Sequence, residues 1–358
     1  MERKALLKLA EELSNARGVS GFEDEVLAVL RRHGGHLGEL SEDSLRNLYL
    51  SRRENRGGRP MVQLDAHSDE VGFMVRAVRP NGTLAFTPLG GWMPCNIPAH
   101  RVLVQTAEGD YIPGVVASKP PHFAGPGERN AVPAVEDMGI DIGASSREEV
   151  LRDFHIRIGA PVAPDAAFQY QEGRDLMIGK AFDCRLGCAA LVQTLDLLAG
   201  KDLAVDVTGA FAVQEEMGMR GAAVTANRVK PDAAIVFEGC PADDTVAEPW
   251  LVQTAIRKGP MLRHLDARMI TNPRFQRYAL DLAEELGIPV QESVRTGGST
   301  NGGAIHLSNL GVPVIVIGIP VRYIHTHYGL AALADVENAA RLACALLEGL
   351  DGARIGGF

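Results

Sequence analysis

Four short apolar runs in this chain each lead into a histidine or an acid, and that recurrence constrains the fold more than any other feature. Residues 61–66 lead into His67, residues 210–213 into Gln214-Glu215-Glu216 and residues 233–237 into Glu238, while residues 313–317 precede Arg322-Tyr323-Ile324-His325-Thr326-His327. Apolar runs of this length, bounded by breakers such as Gly57-Gly58-Arg59-Pro60, read as buried strands. Patterns at helical spacing stand between them, near residues 185–199 and 273–286. The alternation predicts an α/β fold, and open α/β sheets place their sites just beyond the strand ends.

Ser20-Gly21-Phe22-Glu23 has the form of a capping box ahead of Val26, Leu27, Val29 and Leu30, so a helix is expected to start there. Asp335 is placed to cap a last helix through Ala339, Leu342, Ala345 and Leu346. From about Ala77 to Pro164 the texture changes to short β-prone runs broken by Gly and Pro, with a turn at Glu108-Gly109-Asp110. The chain therefore divides into a main domain, residues 1–76 and 165–358, and a small inserted β domain, residues 77–164. With 358 residues and 46% apolar content it can bury both cores.

The formal charge of −9 argues against a nucleic-acid partner, which would need clustered Lys and Arg. No apolar run approaches the roughly 18 residues that cross a bilayer, and Met1-Glu2-Arg3-Lys4-Ala5-Leu6 lacks the apolar stretch of a secretion signal. The expectation is a cytoplasmic protein without a membrane partner. Its five cysteines are scattered and odd in number, as suits reduced thiols, and Cys184 and Cys188 read as packing residues.

The chemistry-bearing residues lie at the strand ends. Adjacent Glu215 and Glu216 would repel unless a cation or separate jobs divided them, one binding metal and the other moving protons. Asp69, two residues after His67, can reach the imidazole N–H and fix its tautomer. Asp183 is either a helix cap or a carboxylate spanning two ions, and Arg185 can pair with a carboxylate. Glu238 ends its strand, with Gly239 turning the chain away, and is a better ligand candidate than the loop acids Asp243 and Asp244. His325 or His327 completes the set. Residues 297–303, rich in glycine but without a nucleotide-binding pattern, are expected to supply backbone to a substrate site. Two imidazoles and three carboxylates, one bridging, offer each of two divalent ions three protein ligands with room for water.

The landmarks Gly18-Val19-Ser20-Gly21-Phe22-Glu23, Ala66-His67-Ser68-Asp69-Glu70-Val71-Gly72-Phe73, Gly179-Lys180-Ala181-Phe182-Asp183, Gln214-Glu215-Glu216-Met217-Gly218 and Arg322-Tyr323-Ile324-His325 run in order over nearly the whole chain. In these motifs the chain resembles the tetrahedral aminopeptidases, a family of dinuclear-metal peptidases that includes glutamyl aminopeptidases and proteins labelled endoglucanase M. The resemblance implies a zinc-aminopeptidase-like core, a mixed sheet sandwiched by helices, with an inserted β-barrel-like domain for subunit contacts and substrate access. It implies two divalent ions per subunit, zinc or cobalt, with manganese also suited. Asp183 would bridge them, Glu216 and His325 would complete one site, and His67 and Glu238 the other. Glu215 would be the general base and Asp69 the residue orienting His67. Short peptides would be the substrates, and dimers would build a hollow homo-dodecamer.

Three positions depart from the family pattern. Cys184 follows the bridging aspartate where Asp or Asn is common, and a thiol there can alter metal preference or oxidation sensitivity. Glu238 stands for a more usual Asp. Asn301 replaces a common Asp, removing a negative charge expected near the substrate amine. These departures keep open a non-catalytic or altered-specificity metal-binding relative. A glycoside hydrolase would explain the acids but not the histidines, and two Trp and six Tyr provide few stacking platforms for a polysaccharide. His122, His264, His306 and His327 read as structural or solvated.

Overall fold

A computed structural model describes residues 1–125, 127 and 131–358. Helices α1 (Arg3–Asn15) and α2 (Asp24–Gly34) lead into a hairpin, β1 (Gly38–Glu42) and β2 (Leu48–Arg52), and then the strand β3 (Met61–His67). Next comes the inserted unit: β4 (Gly72–Val78), β5 (Leu84–Leu89), β6 (Arg101–Gln105), β7 (Tyr111–Val116), β8 (Ile140–Asp141), the short helix α3 (Arg147–Arg152) and β9 (Pro161–Pro164). Its six strands close into a barrel around Phe73, Phe86, Val102, Val104 and Ile140. Closure leaves no open sheet edge in so small a unit.

The chain returns through β10 (Gln169–Gln171), β11 (Leu176–Gly179), α4 (Phe182–Leu197), β12 (Asp206–Ala212), α5 (Arg220–Val229), β13 (Ala233–Pro241), β14 (Met261–Leu265), α6 (Pro273–Glu285) and β15 (Gln291–Val294). It ends with α7 (Gly302–Ile305), β16 (Val314–Val321), β17 (Gly329–Ala331), α8 (Leu333–Gly349) and α9 (Gly352–Gly356). The main sheet has the order β1-β2-β12-β3-β13-β16-β14-β15. Its centre, β12-β3-β13-β16, is parallel, while β2 and β14 pair antiparallel with their inner neighbours, so the sheet is mixed.

Strands β13 and β16 carry near-continuous apolar runs because both faces are covered, whereas β3 alternates Val62, Leu64 and Ala66 with the buried polar residues Gln63, Asp65 and His67. Ala233, Ile235 and Phe237 of β13 face the large core under α1, α2, α4 and α8, while Ala234 and Val236 face a second core with Ala222 and Ala226 of α5 and Ile305 of α7. Helices thus sandwich the sheet. Register brings the chemistry together: Ala212 pairs with His67, so the glutamate pair lies just past the end of β3, and Glu238 pairs with Gly318 on the other side.

Two expected caps are not formed. The Ser20 hydroxyl donates to Asp69 Oδ2 at 2.5 Å instead of accepting from a first-turn amide of α2, whose N-cap is Glu23 without a side-chain cap bond. Helix α8 starts earlier than expected, with Ala332 as N-cap. Asp335 is buried inside its first turn and accepts from the amides of Arg257 and Gly259, tying down a neighbouring loop. In both cases a buried tertiary donor or acceptor competes successfully with the local cap.

Candidate metal centre and active site

His67 is the last residue of β3 and is 1% exposed. Its Nδ1 lies 3.1 Å from the Asp69 backbone carbonyl and 3.3 Å from Asp69 Oδ1. The Asp69 carboxylate also accepts from the amides of Glu215 at 2.9 Å and Glu216 at 3.2 Å. One buried residue, Asp69, therefore meets the imidazole and anchors the glutamate pair. Burial pushes the Asp69 carboxyl up, but its bonds to His67, Ser20 and the Glu215 amide outweigh that and hold it below the usual range.

Asp183 is not a helix cap. Ala181 holds that position, and Asp183 itself has φ −85° and ψ 106°, outside helical values, with its carboxylate oxygens beside the two histidines. Oδ1 lies 3.1 Å from His67 Nε2 and Oδ2 lies 3.4 Å from His325 Nε2. Glu238 Oε1 is 3.2 Å from His67 Nε2, and Glu216 Oε2 is 3.4 Å from His325 Nε2. Strand β13 continues through Glu238 to Pro241 instead of turning at Gly239. Gly239 is needed for a close approach: a Cβ there would lie 2.5 Å from the Cα of Asp183. His325 carries φ 55°, and its Nδ1 lies 2.9 Å from the carbonyl of Gly91, in the barrel segment. His327 points elsewhere, buried and stacked on His100 at 4.0 Å, and burial with the His100 charge lowers its pKa to about 3.

Burial raises the Glu215 carboxyl to about 7 and that of Glu216 to about 8, and pushes Glu238 well above the carboxylate range, with the Asp183 charge adding to all three shifts. Burial works against a charged imidazole, yet Asp183 and Glu216 raise His325 to about 10, and His67 is also raised by its anionic neighbours. Asp183 goes the other way: burial opposes ionisation, but bonds from both histidines hold it well below the usual range. Four carboxylates thus face two imidazoles. Among the described residues, the buried Glu216 Oε1 and Glu238 Oε2 have no hydrogen-bond partner, a costly state for carboxylate oxygens. Cations bound here would relieve both the repulsion and the orphaned oxygens. The donor atoms group accordingly, within 4.8 Å of one another, as His67–Asp183–Cys184–Glu238, His67–Glu215–Glu216 and Asp183–Glu216–His325. These residues fit divalent ions.

Residues 47–342 match the family model described as M42 glutamyl aminopeptidase. The chain belongs to this M42 family. It is 32% identical over 348 residues to the glutamyl aminopeptidase of Lactococcus lactis, covering 97% of each chain. It also matches the crystal structure of a TET aminopeptidase from a marine sediment archaeon of the Thaumarchaeota, with a TM-score of 0.94, 37% identity and 99% of each chain covered. The TET1 peptidase of Pyrococcus horikoshii matches with a TM-score of 0.87 and 26% identity, over 96% of this chain and 100% of that one. This M42 chain is a metal-dependent aminopeptidase. Among the described residues no helix is long and apolar enough to cross a membrane.

Other residues of the M42 chain were only partly legible. Glu70 is buried beneath the centre and accepts from Lys180 Nζ at 2.5 Å, Arg185 Nη2 at 3.2 Å and the Gly18 amide at 3.2 Å. Arg185 also donates to the carbonyls of Ser68, Leu13, Ala16 and Gly18, joining the His67 strand end to the N-terminal helices. Burial lowers the Lys180 pKa to about 8 despite Glu70. The signal was present, since Lys180 and Arg185 flank Asp183 in one motif. Asn301 does not face a substrate amine: it is fully buried and donates to Asp65 Oδ1 at 2.7 Å. An Asp at this position would set a second buried carboxylate beside Asp65. The glycine-rich segment 297–303 does not line the cavity beside Asp183 and His325, whose walls include Glu70, Glu216, Tyr323 and Ile324.

Proposed function

We propose that the protein removes N-terminal residues from short peptides using two divalent ions, one held by His67, Asp183 and Glu238 and the other by Asp183, Glu216 and His325. The observation that carries this reading is the bridging posture of Asp183, which presents one oxygen to each histidine with a glutamate on either side. Zinc or cobalt suits the mixed nitrogen and oxygen donors, with manganese also compatible, and such ions polarise a peptide carbonyl and acidify water. Glu215 is the general base: burial raises its carboxyl to about 7, near the pH at which a base is most effective. It accepts a proton from the attacking water and returns it to the departing amine. Asp69 holds the His67 tautomer and, through two amides, the position of Glu215.

The reading includes a cytoplasmic homo-oligomer, with the barrel forming subunit contacts and limiting access to short chains. The TET1 peptidase of Pyrococcus horikoshii can assemble into a tetrahedron or a large octahedral shell, and the related PhTET1-12s structure is a dodecamer, which supports a dodecamer here. The test is hydrolysis of aminoacyl chromogenic substrates and short peptides, with free or blocked N-termini, by chelator-stripped protein before and after adding zinc, cobalt or manganese. Cleavage restored by metal and confined to free N-termini is expected. Cleavage of blocked peptides, or none with any metal, would overturn the reading.

A further inference from the structure

We propose that the Cys184 sulfur is a fourth protein ligand for the ion at His67, Asp183 and Glu238, making that half a closed, thiophilic site while the half at Asp183, Glu216 and His325 stays open. The inference rests on the two-ion reading above.

The four donor atoms of the first group lie within 4.8 Å of one another. A tetrahedral zinc with bonds of about 2.0–2.3 Å needs donors roughly 3.3–3.8 Å apart, so a small closure suffices. His67 Nε2 is already 3.1 Å from Asp183 Oδ1 and 3.2 Å from Glu238 Oε1. The packing leaves room for this sulfur: a Cβ on Gly187 would lie 2.3 Å from Cys184 Sγ. A second observation points to a ligand in the same group. Glu238 is 5% exposed, and its Oε2 is buried with no partner.

Cys184 is buried and its S–H donates to the Phe237 carbonyl at 3.3 Å. Ion binding would break the S–H bond, form a sulfur–metal bond and release the proton to solvent, with no electron transfer. Among the described residues, the other half offers only nitrogen and oxygen donors, and three of them. Four protein ligands characterise closed sites, whereas three leave a position for water or substrate. A thiolate also favours zinc and cadmium over manganese. The two ions of one active site therefore differ in kind: one is held tightly by the sealed half, and the other exchanges.

The test is X-ray absorption at the zinc edge on wild-type protein loaded with limiting zinc, with cobalt titration of stripped protein followed in the near ultraviolet. A zinc–sulfur shell at about 2.3 Å and a sulfur-to-cobalt charge-transfer band are expected. Both should vanish in Cys184→Ser and in Cys184→Asn, which installs the residue type common in the family, and persist in Cys95→Ser, which removes the exposed thiol. Zinc retention at the first equivalent should weaken at least about 10-fold in the Cys184 variants. Wild-type protein that binds zinc and cleaves peptides with only nitrogen and oxygen around the ion would overturn this inference and leave the aminopeptidase reading intact. Protein that binds no metal would overturn both.

Discussion

The two halves of the ligand cluster share Asp183 but are built differently. On the sealed side, His67 is 1% exposed and Glu238 5%, and the imidazole is held through Asp69, itself fixed by Ser20 and two backbone amides. On the open side, the His325 side chain is 34% exposed, and its second nitrogen rests on the Gly91 carbonyl of the inserted barrel. The sealed half is part of the core of the main domain, so its geometry is secured by packing. The open half hangs between two units and depends on their contact. In the proposed two-ion reading, a difference of this kind would let one centre combine a firmly held ion with an exchangeable one.

The strongest challenge is to the chemistry that both halves serve. Glu215→Gln should lower turnover by about 10²–10⁴-fold with metal content unchanged, measured by steady-state kinetics beside elemental analysis; full turnover would remove Glu215 as the base. Next, Glu70→Ala leaves Lys180 and Arg185 without their buried counter-charge beneath the sealed half. It should cost about 3–5 kcal/mol in denaturant unfolding, and a loss under 1 kcal/mol would mean the sealed half does not rest on this cluster.

Glu23 supplies a pH test of the same side. It accepts from the amides of Gly21 and Gln214, and burial with the Asp69 charge raises its carboxyl from 4.5 to about 7. A raised folded-state pKa means that its contribution to stability is complete below about pH 4.5 and is lost as pH rises through about 7. Glu23→Gln should remove that slope, worth at most about 3 kcal/mol, from unfolding curves of chelator-treated protein between pH 5 and 8. An unchanged slope would assign the dependence elsewhere. The smallest effect belongs to the open side. In Gly91→Ala the new Cβ would lie 3.2 Å from His325 Nδ1, and metal retention at that half should fall by about 10-fold while the sealed half keeps its ion. Equal loss from both halves in competition with a chelator would show that they do not act independently.

The sequence by itself determined the α/β alternation and the placing of His67, Glu216 and Glu238 at or near strand ends, because periodicity and breakers are local properties. Motif order added Asp183 and favoured His325. Only the tertiary structure decided which oxygen of Asp183 faces which histidine, that His327 turns away to stack on His100, and that Ser20 and Asp335 serve distant partners instead of helix ends. It also placed Gly91 against His325 and Asn301 against Asp65. These outcomes turn on pairing between residues far apart in the chain. In a buried, low-dielectric interior an unpaired polar group costs more than a lost local cap, so the long-range partner prevails and no local pattern can announce it.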